Sequence, residues 1–190
     1  MLRLVIRRSG GEWAVTDGDA TLATARGGML SDRLEIHHNG RVLRADLSKG
    51  ALVVTDSATG EQVVRAAHIP GRDPQVAVRE KWAVSFATGA ELAWMYKSEP
   101  RQMGFYDAAA NPVMVIGHHI SIQAPRKASV VRILFRMWTG AVKSAGEYGA
   151  VFDEPALAAL SLTSDAPLLA LLGMTLERRW QEGSTESAVY

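Results

Sequence analysis

No cysteine occurs among the 190 residues, so neither a disulfide framework nor a thiolate metal site is open to this chain. The common enzyme signatures are missing too: there is no P-loop, no G-x-G-x-x-G, no H-E-x-x-H and no G-x-S-x-G. No acid/base constellation stands out, and the expectation is a non-catalytic protein without a cofactor. Charge of one sign is not in excess. The 21 Lys and Arg against 20 Asp and Glu leave a net +1, which offers little global attraction, and no nucleic-acid partner is expected. The first eight residues, Met1 to Arg8, lack the apolar centre of a signal peptide and read as a strand. Long hydrophobic runs are also absent. The longest, Ala166 to Leu176, would be roughly 16 Å long as a helix, against a hydrocarbon core of about 30 Å. The chain is therefore not expected to be transmembrane; a cytoplasmic location is the expectation.

What is present is a succession of short alternating runs between turn signals. Asp17-Gly18-Asp19, Asn39-Gly40, Ser57-Ala58-Thr59-Gly60, Thr88-Gly89 and Ala109-Ala110-Asn111-Pro112 punctuate the first 120 residues. Asn39-Gly40 is the strongest signal, because a type I′ hairpin turn needs positive φ at both central residues. Trp82, Val84 and Phe86 share one face of a run, and Leu92, Trp94 and Tyr96 share a face of the next. Leu34 with Ile36, then Leu43, Ala45 and Leu47, repeat the pattern around Asn39-Gly40. No long amphipathic helical pattern interrupts them, so βαβ units are not expected. At 47% apolar, 190 residues support one core, and residues 1–182 are read as a single domain. The fold class predicted is mainly β with α: a closed antiparallel barrel of about twelve strands.

The last forty residues supply what such a barrel needs inside it. Asp165 suits an N-cap and Pro167 the first helical turn. Leu168 to Leu172, Gly173, Met174 and Leu176 follow without a charge until Glu177. At 100° per residue these side chains point in every direction, so no face is left for water. A core helix over 165–180 is predicted, with Leu171 and Leu172 both buried and 183–190 as a loose tail.

The segment Val130-Val131-Arg132-Ile133-Leu134-Phe135-Arg136-Met137-Trp138-Thr139-Gly140 resembles the penultimate strand of the phospholipid scramblases, which reads I-x-K/R-x-W-x-G. As in that family, an aromatic and an F-D step follow (Tyr148-Gly149-Ala150-Val151-Phe152-Asp153), then an apolar helix. The resemblance implies the barrel of about twelve strands around a helix that scramblases share with LURP-one-related proteins and tubby domains. Compact bacterial LURP-one-related proteins are a closer comparison than the scramblases themselves. As motif it covers about fifty residues, Ser129 to Trp180. Scramblases carry an acidic D-x-D-x-F pattern held to bind calcium; here Ser144-Ala145-Gly146-Glu147-Tyr148 has one carboxylate. Calcium takes six to eight oxygen ligands, so no metal site is expected.

Charge patterning offers an independent clue. Between Ala108 and Gly146 there are five bases, Arg126, Lys127, Arg132, Arg136 and Lys143, and no acid. On a strand from Val130 to Trp138, Arg132 and Arg136 share a face with Leu134 and Trp138. The plain reading is a solvated face. The sharper one is a phosphate-binding patch, since guanidinium binds phosphate bidentately and Trp favours the membrane interface. Peripheral association with anionic phospholipid head groups, at the inner membrane face, is the expectation. The rival is a soluble barrel that binds a protein partner or a small apolar ligand near its mouth.

The five histidines invite a metal hypothesis, but His37-His38 and His118-His119 are adjacent pairs, and neighbours on a strand point to opposite faces. Asp56 and Asp107 read as turn formers, because Asx side chains bond their own backbone.

Overall fold

The computed structural model describes residues 1–9, 11–27, 32–48, 50–70, 78–98, 101–118 and 147–186. Twelve strands follow one another: β1 (Leu2–Ser9), β2 (Glu12–Asp17), β3 (Ala20–Arg26), β4 (Arg33–His38), β5 (Arg41–Ser48), β6 (Ala51–Asp56), β7 (Gln62–His68), β8 (Val78–Phe86), β9 (Glu91–Ser98), β10 (Arg101–Tyr106), β11 (Pro112–His118) and β12 (Glu147–Phe152). Each pairs antiparallel with its neighbour in sequence. β1 closes on β12, with Leu2 opposite Phe152, so the described sheet is a closed barrel without an edge. Three helical pieces follow: α1 (Glu154–Ala159), a 3-10 turn (Thr163–Asp165) and α2 (Ala166–Glu186).

The local chemistry of the turns is the expected one. Asn39 (φ 51°) and Gly40 (φ 71°) both sit in the left-handed region, as a type I′ turn demands. Asp56 Oδ1 accepts from the backbone N–H of Ala58 and Thr59, at 2.8 and 3.3 Å. Asp107 Oδ1 accepts from the Asn111 N–H at 2.8 Å, and its Oδ2 from the Asn111 side-chain amide at 3.1 Å. Register shifts at Val15/Thr16, Val54/Thr55 and Phe105/Tyr106 put an extra residue into the ring and sharpen its coiling. At Gly104 the neighbouring strand comes so close that a Cβ would overlap the Met114 carbonyl.

A twelve-strand ring has the diameter that one helix fills. Strands about 4.8 Å apart and tilted about 40° give a circumference near 75 Å and a diameter near 24 Å. A helix with side chains takes about 10–12 Å of that, leaving one side-chain layer on each side. The lumen is filled on those terms. Ala166, Leu168 to Leu172, Met174 and Leu176 are all at most 2% exposed. Leu171 and Leu172 are thus buried as predicted. Thr175, the hydroxyl of that stretch, donates to the Leu171 carbonyl at 2.9 Å.

Helix and wall are matched in size. α2 lies against β1, β2, β3, β10 and β11. On that side the inward side chains include Ala23, Ala25 and, on neighbouring β12, Ala150, while Gly173 of the helix faces Met114 and Ile116 closely. Across the lumen the space is taken by Trp82, Phe86 and Trp94. The alanines of β3 and β12 and Gly173 make room for the helix, and the large aromatics of β8 and β9 help to fill the opposite side, giving one core.

Two boundaries differ from the sequence reading. The chain does not enter α2 straight from an N-cap: Asp153 caps α1 through the Ala156 N–H (3.0 Å), and Asp165 ends the 3-10 turn. The helix also runs on to Glu186, past Gly183, into the stretch the sequence reads as a tail. Its 21 residues span about 31 Å, whereas strands of this length, so tilted, make a wall only about 18 Å high. The buried stretch Ala166 to Leu176, about 16 Å long, already matches the height of the wall, and the charges of the sequence begin next, at Glu177. Replacing Leu172 with Asp should abolish soluble expression. An unpaired buried carboxylate costs several kcal/mol of a total near 5–15, and the comparison of soluble yields with Leu172→Met checks it.

Candidate site at the far end of the barrel

Because every strand reverses direction, the connections fall into two sets at opposite ends. α2 enters at one, the near end, where the turns are tight. They are Gly18-Asp19, Asn39-Gly40, Ser57 to Glu61, Ala87 to Ala90 and Asp107 to Asn111, none longer than five residues. The far end holds the Gly10-Gly11, 49–50 and 99–100 links, and also the longer ones: 27–32, 69–77 and 119–146. Length is therefore concentrated on one rim, as in scaffolds that carry binding residues on loops.

All five bases singled out in the sequence, Arg126, Lys127, Arg132, Arg136 and Lys143, lie in 119–146 and so outside the described residues. The stretch Val130 to Gly140, expected as a barrel strand, lies there too. The ring closes without it: β11 pairs directly with β12, Ile116 opposite Ala150 and His118 opposite Tyr148. What the fold does establish is where this connection is tethered. It departs from His118 and returns at Glu147, adjacent positions on the far rim.

The described part of that rim has features that composition alone does not reveal. The Arg8 guanidinium carbon lies 5.5 Å from the Trp13 ring centroid, and Trp13 packs on Tyr148 at 6.1 Å in a tilted arrangement. All three stand on inward-facing registers, near the end of the wall. A cation over an indole is held by the ring quadrupole while its N–H groups remain donors. Further round, His68 packs on Trp82 at 5.3 Å. Outside the mouth, Arg26 bonds Glu12 (3.0 Å), and Arg33 and Arg44 both reach Asp46 (3.1 and 2.8 Å). The signal for Arg8–Trp13 is in the sequence only as two residues five apart; the hairpin register makes them neighbours.

The near end is tied down instead. The Asn39 side-chain amide donates to the Ser164 carbonyl at 3.2 Å and lies 3.0 Å from His38 Nε2. His38 is 4% exposed, and its Nε2 stands 3.4 Å from Asp165 Oδ1. The β4–β5 turn thereby holds the start of α2. His37 points outward to Glu35 at 2.8 Å, so the adjacent histidines do part to opposite faces. Among the described residues no three His, Asp or Glu side chains converge as a metal site would need. Arg41 Nε bonds Asp56 Oδ2 at 2.7 Å. The Ala58 N–H, with Arg41 next, holds the Asp56 carboxyl below the usual carboxylate range, and Asn111 does the same for Asp107. Burial pushes the Tyr106 phenol up.

The chain matches none of the family models, none of the curated proteins and none of the solved structures with which it was compared. No helix among the described residues is long and apolar enough to cross a membrane.

The depressed carboxyls set a sign for the pH response. Below the ordinary carboxylate pKa the unfolded chain binds more protons than the folded one, so the stability these groups contribute is present above about pH 4 and is lost as pH falls. Asp56→Asn should flatten the decline of the urea midpoint between about pH 5 and pH 3. An unchanged slope would remove Asp56 from the acid response.

Proposed function

We propose that this chain is a non-catalytic binding barrel of the tubby-like, scramblase/LURP-one-like kind that associates peripherally with anionic phospholipid head groups. Arg126, Lys127, Arg132, Arg136 and Lys143 are the binding residues of this reading. The observation that carries it is the tethering of their segment: both ends leave from adjacent positions on the far rim, beside Arg8 and Trp13. The stretch anchored there carries five bases and no acid. A bilayer surface suits them because each base near an anionic leaflet adds about 1 kcal/mol. Support for an outside site also comes from the lumen, where the helix already occupies the space a small ligand would need. A cytoplasmic protein that visits the inner membrane face fits this reading.

The competing reading is a soluble barrel that takes a protein partner or a small apolar ligand at the mouth, where Trp13 and Tyr148 stand. Flotation with neutral and anionic vesicles separates the two. Salt-sensitive capture by anionic vesicles alone is expected; capture by neither kind favours the competitor. Replacing Arg132, Arg136 and Lys143 with Gln should weaken vesicle binding about a hundredfold at low salt and leave the melting temperature nearly unchanged. Equal binding by both proteins would remove these residues from the site. Millimolar calcium should not shift the melting temperature, since only a ligand that prefers the native state stabilises it. An upward shift reversed by chelator would reinstate a calcium-dependent mechanism.

A further inference from the structure

Polar groups of the β4–β5 turn meet those of the 3-10 turn that leads into α2, and their hydrogen-bonding needs conflict. The Asn39 amide nitrogen lies 3.2 Å from the Ser164 carbonyl and 3.0 Å from His38 Nε2. An amide nitrogen only donates and a carbonyl only accepts, so the Ser164 contact fixes which way the Asn39 amide faces. Its second N–H is then left for His38 Nε2, which must accept. A neutral imidazole that accepts at Nε2 carries its proton on Nδ1. That Nδ1 is buried and has no partner among the described residues. Asp165 Oδ1 stands 3.4 Å from the same Nε2. Against a neutral ring of this tautomer it faces another acceptor, and no bond forms.

Protonation reverses these relations. Imidazolium donates from both nitrogens, so Nε2 would offer an N–H to Asp165 and oppose the N–H of Asn39. One atom cannot serve both neighbours in one charge state. The groups around the ring make Asp165 its anionic partner. Arg41, on the neighbouring β5, is engaged by Asp56 at 2.7 Å. On β3 the residue opposite His38 is Ala23. Asp17 and Asp19, beside the β2–β3 turn, are exposed, and His37 turns outward to Glu35 at 2.8 Å. His38 itself is 4% exposed, so bulk water is a poor substitute for either contact.

We propose that His38 is a proton-operated latch on the entry to α2. With the ring neutral, Asn39 bridges it to Ser164 and fastens the β4–β5 turn to the chain just before the helix. With the ring charged, Nε2 donates to Asp165, the Asn39 amide turns away, and the Ser164 bond opens. Imidazole changes charge between about pH 5 and 8, so the exchange falls above the acid range in which Asp56 and Asp107 act.

Heteronuclear NMR of the intact chain reads the latch through the two His38 ring nitrogens and the Asn39 side-chain amide. At about pH 8 the expected ring is protonated on Nδ1 and bare at Nε2. Towards about pH 5, Nε2 should gain a proton, and the Asn39 amide resonances should move with the same midpoint. His37→Gln should leave that response unchanged. A proton on Nε2 in the neutral ring overturns the proposal. So does an Asn39 amide that stays in place while His38 titrates, or a His38 that takes up no proton across this range. Asn39→Gly removes the amide while keeping a residue suited to the positive φ of 51°. The neutral ring should then carry its proton on Nε2 and donate to Asp165; a persistent Nδ1 tautomer also overturns the proposal. Asp165→Asn, which keeps the chain's shape and removes the anion, should shift the midpoint of the Asn39 response to lower pH. An unshifted midpoint counts against the latch as well, because Asp165 would then not be the partner of the charged ring.

Discussion

The structure depends on the fit between one helix and a ring of twelve strands. A ring of this size cannot be filled by wall side chains alone, because its diameter exceeds two side-chain layers by about the width of a helix. A helix uniformly apolar around its circumference, in turn, has no stable place in water. Each element removes the other's deficiency. The alternation of the wall strands, the alanines of β3 and β12 and the aromatics of β8 and β9 all answer to the position of α2 in the lumen.

That mutual dependence explains which parts are readable in advance. Turns such as Asn39-Gly40 are governed by two residues, so their geometry is legible locally. The face alternation of Trp82, Val84 and Phe86, and the uniform apolarity of Leu168 to Leu172, report burial without naming the neighbours. Pairing across the ring is another matter. Nothing near Leu2 shows that Phe152 will lie opposite it, and nothing near Ile116 shows that Ala150 will. Val130 to Gly140 has a strand's alternation and lies outside the described residues, and its alternation gives no hint that β11 and β12 pair directly. Arg8 and Trp13 escape a sequence reading for the same reason, since their meeting depends on hairpin register. The short α1, capped by Asp153, has too few residues to show a helical period.

The candidate site inherits its character from the topology rather than from any single cluster. An up-and-down barrel has two rims, and a chain that enters its own lumen must cross one of them. That rim is occupied by α1, the 3-10 turn and the Asn39–Ser164 bond, so its loops are short and its polar groups are engaged in structure. The opposite rim is crossed by no such entry, and nine positions, 69–77, separate β7 from β8 there. The division of labour between a structural end and a variable end follows from where the helix begins.

Closure of the ring between the first strand and the twelfth also has a bearing on biosynthesis. Until Phe152 has left the ribosome, the partner of Leu2 does not exist, and β1 offers an unpaired edge to any other extended chain. The lumen, too, stays open until α2 has been made. Closure of the ring therefore has to wait for the end of the chain. The pairing joins residues about 150 apart in sequence, and long-range contacts of this kind are intrinsically slow to form and expose apolar sheet surface until they do.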